Sequence, residues 1–436
     1  METLATARIR NLIGFALVLA VGSAAAALAN EAGEQRSPRL AALARELQAG
    51  DRQALATFWQ QVQGHTPLVE PIPGQDRQRS VTLLWRASDK TTRVTVLGGL
   101  PGANLLKPMA RLAGTDVWYL TEAHATVARF QYVFQIDGPE AVAMDLPSIM
   151  REMERNRPRL DPLNPREYAG WSYVELPDAP PQPWIATQAG VPAGRQIKEK
   201  LASKFLKAEY ALKIYLPPGY DENRRPSWLL IAFDGGFRKM EVTLDNLLAA
   251  GKIPPVVVVG VENLSGQTRM RDLNCSDDFA RFVATEVVPW ARKTYRVHTD
   301  AAHTIVGGMS LGGKMAAYCG LKHSGVFGKV LSQSGSFLTA AGEESPRPLW
   351  DGETEGMLVA QFLASPRLPL ELYLEVGRYE TTLPFSHLLE TRRLRDVLRA
   401  KGYRVTYSEY MGGHNEVCWR GSFADAIVAL TAARKR

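Results

Sequence analysis

The sequence predicts a C-terminal α/β domain, with a mostly parallel sheet and helices on both faces, preceded by a small all-β sandwich domain. Two observations indicate this division. Strand-like and helix-like segments alternate from about residue 195 onward, which is typical of a sheet with crossover helices. From about residue 66 to 140, short strand-like segments are separated by turns rich in glycine and proline, which is typical of a sandwich. The 436 residues are enough for both domains.

The first 29 residues have the pattern of a secretory signal peptide. Arg8 and Arg10 precede the apolar run 12–28, and residues 27–29, Ala-Leu-Ala, offer a cleavage site. An uncleaved membrane anchor is the alternative, but the alanine-rich run and its cleavage-like end favour removal. We therefore expect a periplasmic protein with no membrane attachment after cleavage, since no other stretch approaches the roughly 20 apolar residues that spanning requires.

The mature chain divides into four expected regions. Residues 30–65 predict a helical lead-in, because leucines recur among charged residues, and residues 66–157 predict the β-sandwich. Residues 158–194 are rich in proline and predict a stiff, extended linker. Residues 195–436 predict the catalytic domain.

The strands of this last region set the frame for the candidate site. Seven apolar segments predict strands: Ala211–Leu216, Trp228–Phe233, Val256–Val261, Thr304–Val306, Lys329–Gln333, Leu370–Val376 and Tyr403–Glu409. One long amphipathic helix, Asp277–Lys293, is expected before the fourth of them.

Residues 308–312 read Gly-Met-Ser-Leu-Gly between a strand and a helix. This matches G-x-S-x-G, the nucleophile elbow of α/β hydrolases, and predicts Ser310 as the nucleophile. A glycine-rich helix start packed on the sheet is the alternative, because the pattern is short and common. The choice depends on an acid and a histidine that follow the serine in the chain.

Both partners occur at the expected strand ends. His414 follows the last predicted strand in a glycine-containing loop, whereas His387 lies in a predicted helix and is the weaker candidate. Glu380 follows the strand Leu370–Val376 and is the expected acid, while Glu375 suits a structural ion pair. Chain order therefore favours a Ser310–Glu380–His414 triad for acyl transfer.

An oxyanion hole needs two backbone N–H groups. One is expected from Leu311, the residue after the nucleophile. The other is assigned to Gly236, in the Asp-Gly-Gly loop that follows Trp228–Phe233, although a simple turn would also account for these glycines.

The composition indicates which classes of ligand and cofactor to expect. The formal net charge of +7 does not come from one block of lysine and arginine, so nucleic-acid binding is not indicated, and a modest positive bias suits an anionic substrate. Among the three cysteines, Cys319 is expected in the core and Cys275 with Cys418 is the expected disulfide pair. No metal or cofactor is expected, since the triad supplies its own nucleophile.

Stretches spread along most of the chain resemble the enterochelin (enterobactin) esterase family. The matching stretches are PLVEPIPG at 67–74, VTLLWR at 81–86, LPGANLLKPMARLAGTDVWYL at 100–120, ELPDAPPQPW at 175–184, DGG at 234–236, RMRDLNCSDDF at 269–279, GGMSLGG at 307–313 and GGHNEVCWRG at 412–421. The resemblance implies an N-terminal sandwich, an esterase-D-like hydrolase domain and hydrolysis of ester bonds in catecholate siderophores. It transfers the catalytic serine and histidine onto Ser310 and His414. Family members can depend mainly on this pair, so Glu380 rests on its place in the chain.

An anionic, aromatic siderophore, whether free or as its ferric complex, calls for arginines and stacking rings. The candidates for substrate contact are Arg238, Arg271, Arg420 and Trp419, with surface salt bridges and a core position as the alternatives. Many family members look cytoplasmic, so the predicted export leaves room for another ester. Two other functions stay open: a general or aryl (feruloyl-like) carboxylesterase, and a non-catalytic binder of siderophores or glycans.

Overall fold

The computed structural model describes residues 37–100, 106–138, 155–221, 225–337, 356–381 and 386–432. The expected signal peptide, residues 1–29, lies outside them. Within these ranges no helix has the length and apolar character needed to span a membrane.

The described residues of the N-terminal part form nine strands in two antiparallel sheets. They are β1 Leu68–Pro71, β2 Gln78–Arg86, β3 Val94–Gly98, β4 Leu106–Pro108, β5 Ala110–Arg111, β6 Val117–Ala125, β7 Arg129–Ile136, β8 Glu167–Tyr168 and β9 Trp171–Glu175. One sheet has the order β1-β2-β6-β5 and the other β4-β3-β7-β9-β8. Leu83 of the first sheet and Val96 and Phe130 of the second share one core, as expected of a sandwich.

The lead-in is helical, with α1 Pro38–Gln48 and α2 Ala54–Val62. Its apolar side chains, including Leu40 and Trp59, pack with Leu84 and Tyr119 of the first sheet. The lead-in is therefore a cover for the sandwich.

Among the described residues, the C-terminal part contains one eight-stranded sheet. Its strands are β10 Arg195–Ala202, β11 Glu209–Leu216, β12 Trp228–Ala232, β13 Val256–Val261, β14 Thr304–Met309, β15 Lys329–Gln333, β16 Glu371–Gly377 and β17 Arg404–Tyr410, in the order β10-β11-β13-β12-β14-β15-β16-β17. The pairs from β13 to β17 are parallel, and β10 and β11 are antiparallel at one edge. The seven expected strands are confirmed, and β10 is an additional edge strand.

Helices cover both faces of this sheet. They are α3 Met240–Ala249, α4 Gly266–Leu273, α5 Asp277–Phe282, α6 Val288–Thr294, α7 Leu311–Lys322, α8 Met357–Ala364, α9 His387–Ala400 and α10 Glu416–Thr431. Leu244 of α3 and Ile427 of α10 pack on one face, whereas Phe279 of α5, Ala317 of α7 and Leu394 of α9 pack on the other. The predicted helix Asp277–Lys293 runs through α5 and α6 with a π-helical turn between them, at Val283–Val287.

The expected linker, residues 158–194, needs a correction. Strands β8 and β9 fall within it and complete the second sandwich sheet, so the extended segment begins after Glu175. That segment is fixed to the catalytic domain, because Asn246 Nδ2 donates hydrogen bonds to the carbonyl oxygens of Trp184 (2.9 Å) and Ala186 (2.8 Å). The pairing of Trp171 with Tyr168 across a tight turn outweighs the extended preference of the surrounding prolines.

The expected Cys275–Cys418 disulfide is wrong, since all three cysteines are free and buried. Cys275 lies in the core with Phe279 and Phe282, on the α5 side of the catalytic sheet. Cys418 contacts the sandwich domain, where its Sγ donates to the carbonyl oxygen of Arg129 at 3.3 Å. The two thiols therefore belong to different surroundings.

Candidate active site

Ser310 lies at a sharp turn between β14 and α7. Its φ of 56° and ψ of −123° place it in a backbone conformation that L residues rarely adopt. Glycine at 308 makes the turn possible, because a Cβ there would lie 2.5 Å from the carbonyl carbon of Gly312. The Ser310 N–H donates to Gln333 O at 2.9 Å, which ties the turn to the neighbouring strand β15. Ser310 therefore has the geometry of a nucleophile elbow.

His414 and Glu380 meet at the carboxyl end of the sheet. His414 Nδ1 lies 2.7 Å from Glu380 Oε2. The other carboxylate oxygen accepts hydrogen bonds from Ser334 Oγ (2.6 Å), Gly377 N (2.7 Å) and Tyr410 OH (3.1 Å). Burial alone would raise the pKa of Glu380, but the interactions with His414 and the surrounding donors outweigh it and lower the pKa to about 2. Glu380 is thus an ionised carboxylate that orients an imidazole.

Trp419 was predicted as a candidate for substrate contact, with a core position as the alternative, and it lies beside the catalytic groups. Its side chain is buried, and its Nε1 donates to Ser334 Oγ (3.0 Å) and Tyr410 OH (2.9 Å). Its ring stands edge-on to the ring of His414, with centroids 4.8 Å apart. Trp419 therefore donates hydrogen bonds to two of the side chains that donate to Glu380, and its ring packs against the imidazole of His414.

A second histidine joins the site. The ring of His387, at the start of α9, lies 4.6 Å from that of His414. Its Nδ1 is 4.0 Å from Glu380 Oε2, and its Nε2 is 3.1 Å from Ser336 Oγ. Burial, and then the nearby His414, lower the pKa of His387 to about 4, against the opposing effect of Glu380. His387 is therefore neutral at pH 7.

Ser310 Oγ makes its hydrogen bond to Ser336 Oγ, at 3.4 Å. Among the residues that the structure describes, no hydrogen bond joins Ser310 Oγ directly to His414. Catalytic hydrogen bonds are often long in free enzymes and shorten with substrate, so this geometry is that of a resting site.

The expected oxyanion hole needs one correction. Leu311 is the first residue of α7, where backbone N–H groups have no partner within the helix. The N–H of Gly236, however, donates to Phe233 O at 3.0 Å and closes a turn. The N–H of the next residue, Phe237, has no acceptor among the described residues and follows the same turn. Phe237 is therefore the better partner for Leu311.

A shallow cavity that opens to solvent lies between the two domains, next to Met309, the residue before the nucleophile. It is lined by Tyr168, Phe237, Arg238, Met240, Thr243, Met309, Glu416, Trp419, Arg420 and Phe423. Arg238 pairs with Glu416 at 2.7 Å, and Arg420 stacks over Tyr168 with its guanidinium carbon 4.4 Å from the ring centroid. The cavity thus offers two arginines and a sandwich-domain tyrosine near Ser310.

Arg271 does not join this group. It pairs with Asp272 at 2.6 Å and lies 3.3 Å from Tyr210 OH, and it is not among the residues that line the cavity. Its expected contact with substrate therefore has no support in its position, and its role is that of an ion-pair partner.

Ser334, Ser336 and Tyr410 also belong to the site, although the sequence did not predict them. A signal was available for the serines, because residues 332–336 read Ser-Gln-Ser-Gly-Ser at the end of the strand next to the nucleophile. The positive φ of 47° at Ser334 marks the turn that directs it toward Glu380. Tyr410 gave no comparable signal, since a tyrosine at a strand end is common in any sheet.

Comparisons with known proteins agree on one family. The family model described as "Enterochelin esterase, N-terminal" matches residues 80–185, and the Esterase family model matches residues 203–430. An iron(III) enterobactin esterase of Dickeya dadantii is 31% identical, with 90% of this chain and 96% of that protein covered.

Solved structures give the same result. The crystal structure of a ferric enterobactin esterase from Salmonella typhimurium is similar, with a TM-score of 0.70 and 26% identity over 86% of this chain and 98% of that one. An enterobactin esterase from Shigella flexneri, crystallised in the presence of enterobactin, has a TM-score of 0.66 and 27% identity over 86% of this chain and 97% of that one.

Proposed function

The chain belongs to the enterochelin esterase family and is a carboxylic ester hydrolase, and from this membership we propose that it cleaves the ester bonds of a catecholate siderophore such as enterobactin. The observation that carries the proposal is the Glu380–His414 pair at the same end of the sheet as the Ser310 elbow, beside a cavity lined by two arginines. Cleavage would open the siderophore for iron release or processing.

In the proposed reaction, Ser310 Oγ attacks the ester carbonyl carbon while His414 Nε2 accepts its proton. Attack requires the hydroxyl to turn from Ser336 toward His414. The ionised Glu380 keeps the proton of His414 on Nδ1 and stabilises the imidazolium that forms. His414 then protonates the leaving alkoxide, and water, activated by the same imidazole, releases the acid from the serine.

The developing oxyanion would be held by the N–H groups of Leu311 and Phe237. The positive end of α7 points at the same place, because Ser310 is the residue immediately before that helix. Together these groups stabilise charge that appears only in the transition state.

Substrate recognition is assigned to the cavity between the domains. A catecholate siderophore and its ferric complex are anionic and aromatic, so both match arginine, which pairs with oxygens and stacks on rings. Arg238 and Arg420 supply these groups, and Tyr168 supplies a ring from the sandwich. Glu416 balances part of the charge by pairing with Arg238.

We assign the reaction to the periplasm, on the basis of the signal-peptide pattern of residues 1–29. Fractionation of cells that express the full chain, with N-terminal sequencing of the mature protein, tests this assignment. A soluble periplasmic product that begins near Asn30 is expected, and an intact N-terminus in the cytoplasm would overturn it.

The substrate proposal is tested with purified mature protein, free enterobactin and ferric enterobactin, with products separated by chromatography. Wild type should release 2,3-dihydroxybenzoyl-serine units, Ser310→Ala should release none, and the exposed Ser88→Ala should match wild type. If the protein hydrolyses simple aryl esters but cleaves neither form of the siderophore, Ser310 is still the nucleophile and the proposed substrate is wrong.

A further inference from the structure

One carboxylate in this site serves two imidazoles. Glu380 Oε2 accepts a hydrogen bond from His414 Nδ1 at 2.7 Å and faces His387 Nδ1 at 4.0 Å. The proposed reaction uses only His414, which leaves His387 without a role. His387 is half-buried and is not among the residues that line the cavity next to Met309.

The other nitrogen of His387 connects to the nucleophile through one side chain. His387 Nε2 is 3.1 Å from Ser336 Oγ, and Ser336 Oγ is 3.4 Å from Ser310 Oγ. The Ser336 N–H also donates to Ser310 O at 3.2 Å, which fixes the two serines relative to each other. Three polar groups thus form a continuous path that starts at the reacting oxygen.

The direction of the hydrogen bonds along this path follows from charge. An ionised carboxylate favours the His387 tautomer that carries its proton on Nδ1, the nitrogen that faces Glu380. Nε2 is then an acceptor, so Ser336 donates to it and accepts from Ser310. A path with this polarity carries a proton away from the nucleophile.

We propose that Ser336 and His387 form a second proton relay for Ser310, parallel to direct transfer to His414. When Ser310 Oγ attacks the carbonyl carbon, its proton passes to Ser336 Oγ, and the proton of Ser336 passes to His387 Nε2. Ser336 is neutral before and after, one N–H bond forms on His387, and Glu380 faces the resulting imidazolium. Ser336 is a catalytic residue in this scheme and His387 acts through it as a positioning residue.

In the wild type, direct transfer to His414 carries most of the flux, because burial and the nearby His414 make His387 a weak base. The charged or titrating groups that act on His387 are Glu380 and His414, which have opposite effects on its basicity. Removal of His414 takes away the effect that disfavours protonation and frees Glu380 Oε2 to accept the Nδ1–H of His387. The relay should therefore become visible in a His414→Ala background.

The experiment measures kcat/KM for p-nitrophenyl butyrate, which depends only on the steps up to acylation of Ser310. The leaving group needs no proton, so this rate constant reports proton removal from Ser310. The variants are His414→Ala alone and His414→Ala combined with His387→Ala, Ser336→Ala or Ser336→Thr, with Ser310→Ala as the baseline. Circular dichroism and the thermal midpoint establish that each variant is folded.

His414→Ala should lower kcat/KM by roughly 10²–10⁴-fold, the usual contribution of a general base. Adding His387→Ala or Ser336→Ala should lower the remaining rate about tenfold further, toward the Ser310→Ala baseline, by analogy with the lower end of such contributions. Ser336→Thr keeps the hydroxyl and should retain most of the rate. The residual rate should also rise with pH through the titration of His387.

Equal rates in His414→Ala and in both double variants would overturn the relay. A loss with His387→Ala that Ser336→Ala does not share would also overturn it, because the path requires the hydroxyl. The relay rests on the proposed serine mechanism, and the two failures are distinguishable. If wild type and Ser310→Ala are equally slow, the mechanism fails, whereas the relay fails only within an active enzyme.

Discussion

At the scale of single residues, the acid of the site is the most informative side chain. Glu380 is buried, yet its oxygens accept four hydrogen bonds, from Ser334, Gly377, Tyr410 and His414. A buried carboxylate is costly unless its lone pairs are satisfied, so this set of donors explains how Glu380 remains ionised. Glu380 therefore acts on His414 through its negative charge as well as through the geometry of its hydrogen bond.

Glu380→Gln tests the charge while it preserves the shape. Three donors converge on Oε1, so the amide oxygen should take that position and the NH₂ group should face His414 Nδ1. His414 would then carry its proton on Nε2 and lose its ability to accept the serine proton. We expect kcat to fall by about 10³–10⁴-fold, as for comparable triads. Glu199→Gln, on the exposed edge strand β10, should leave kcat unchanged.

The same carboxylate predicts a pH dependence of stability. The pKa of Glu380 is about 2 in the folded chain, below its ordinary value of 4.5. Its contribution to the free energy of unfolding is therefore present above about pH 4.5 and is lost as the pH falls toward 2. Urea unfolding at pH 5 and pH 3 should show a larger loss for wild type than for Glu380→Gln. Parallel losses would show that Glu380 is not stabilised as an ion.

Arg420 tests substrate recognition at the domain junction. Its guanidinium takes part in no proton transfer of the proposed mechanism, but it lines the cavity and stacks on Tyr168. A hydrogen bond to a charged group contributes about 1.5–3 kcal/mol, so Arg420→Ala should raise KM for ferric enterobactin at least about tenfold. The exposed Arg399→Ala is the control. A comparable rise in KM for a small neutral ester would show a general defect.

At the scale of elements, the site is a product of parallel strands. The nucleophile follows β14, the Ser334–Ser336 turn follows β15, the acid follows β16 and the histidine follows β17. The carboxyl ends of neighbouring parallel strands lie at one edge of a sheet, so side chains from distant parts of the chain meet there. The order of the strands in the sheet repeats the order of these groups in the sequence.

The placement of each catalytic group directly after a parallel strand determines which site residues could be predicted from the sequence. Ser310, Glu380 and His414 were found because each follows an apolar segment that predicts a strand. The donor of the oxyanion hole was misassigned to Gly236, since its hydrogen bond to Phe233 depends on the exact path of a turn. The sequence left the role of Trp419 open between a core position and substrate contact, because an aromatic residue near a site is equally common as a wall and as a ligand contact.

The tightness of the elbow predicts the effect of Gly308→Ala. The new Cβ would lie 2.5 Å from backbone carbon and 2.7 Å from backbone oxygen of Gly312, and backbone cannot move aside cheaply. We expect a loss of about 1–3 kcal/mol in the free energy of unfolding and a fall of about 10²-fold in kcat. Gly325→Ala has open space at its Cβ and is the matched control. Normal stability and kcat in Gly308→Ala would contradict the tight turn.

At the scale of the whole molecule, the sandwich domain supports the catalytic loops. Arg129 of β7 donates its N–H to Met411 O at 2.9 Å, and Gln131 Oε1 accepts from Val417 N at 3.3 Å, on either side of His414. Tyr379, the neighbour of Glu380, packs into the core of the sandwich. The turn that carries His414 and the turn that carries Glu380 are therefore both held in place by contacts with the sandwich domain, which together form a brace.

Gly99→Ala probes this brace directly. A Cβ at position 99 would lie 2.6 Å from Asn415 Nδ2 and 3.2 Å from Gly413 Cα, on both sides of His414 in the chain. We expect kcat for p-nitrophenyl butyrate to fall at least about tenfold with little change in KM, because displaced catalytic groups slow the chemical step. Gly266→Ala, whose Cβ would meet open space, is the control. A change in KM alone would instead make the sandwich a substrate-binding module.

The contact between Gly99 and Gly413 also constrains how such a chain can evolve. Most of each core comes from one domain, so recombination that replaced the sandwich would leave Ser310, Glu380 and His414 in the chain. The replacement would still be selected against, because the loop that carries His414 would lose its contact with Gly99 of the sandwich. The two halves should therefore be inherited as one unit, with substitutions at 99 and 413 compensating each other across lineages.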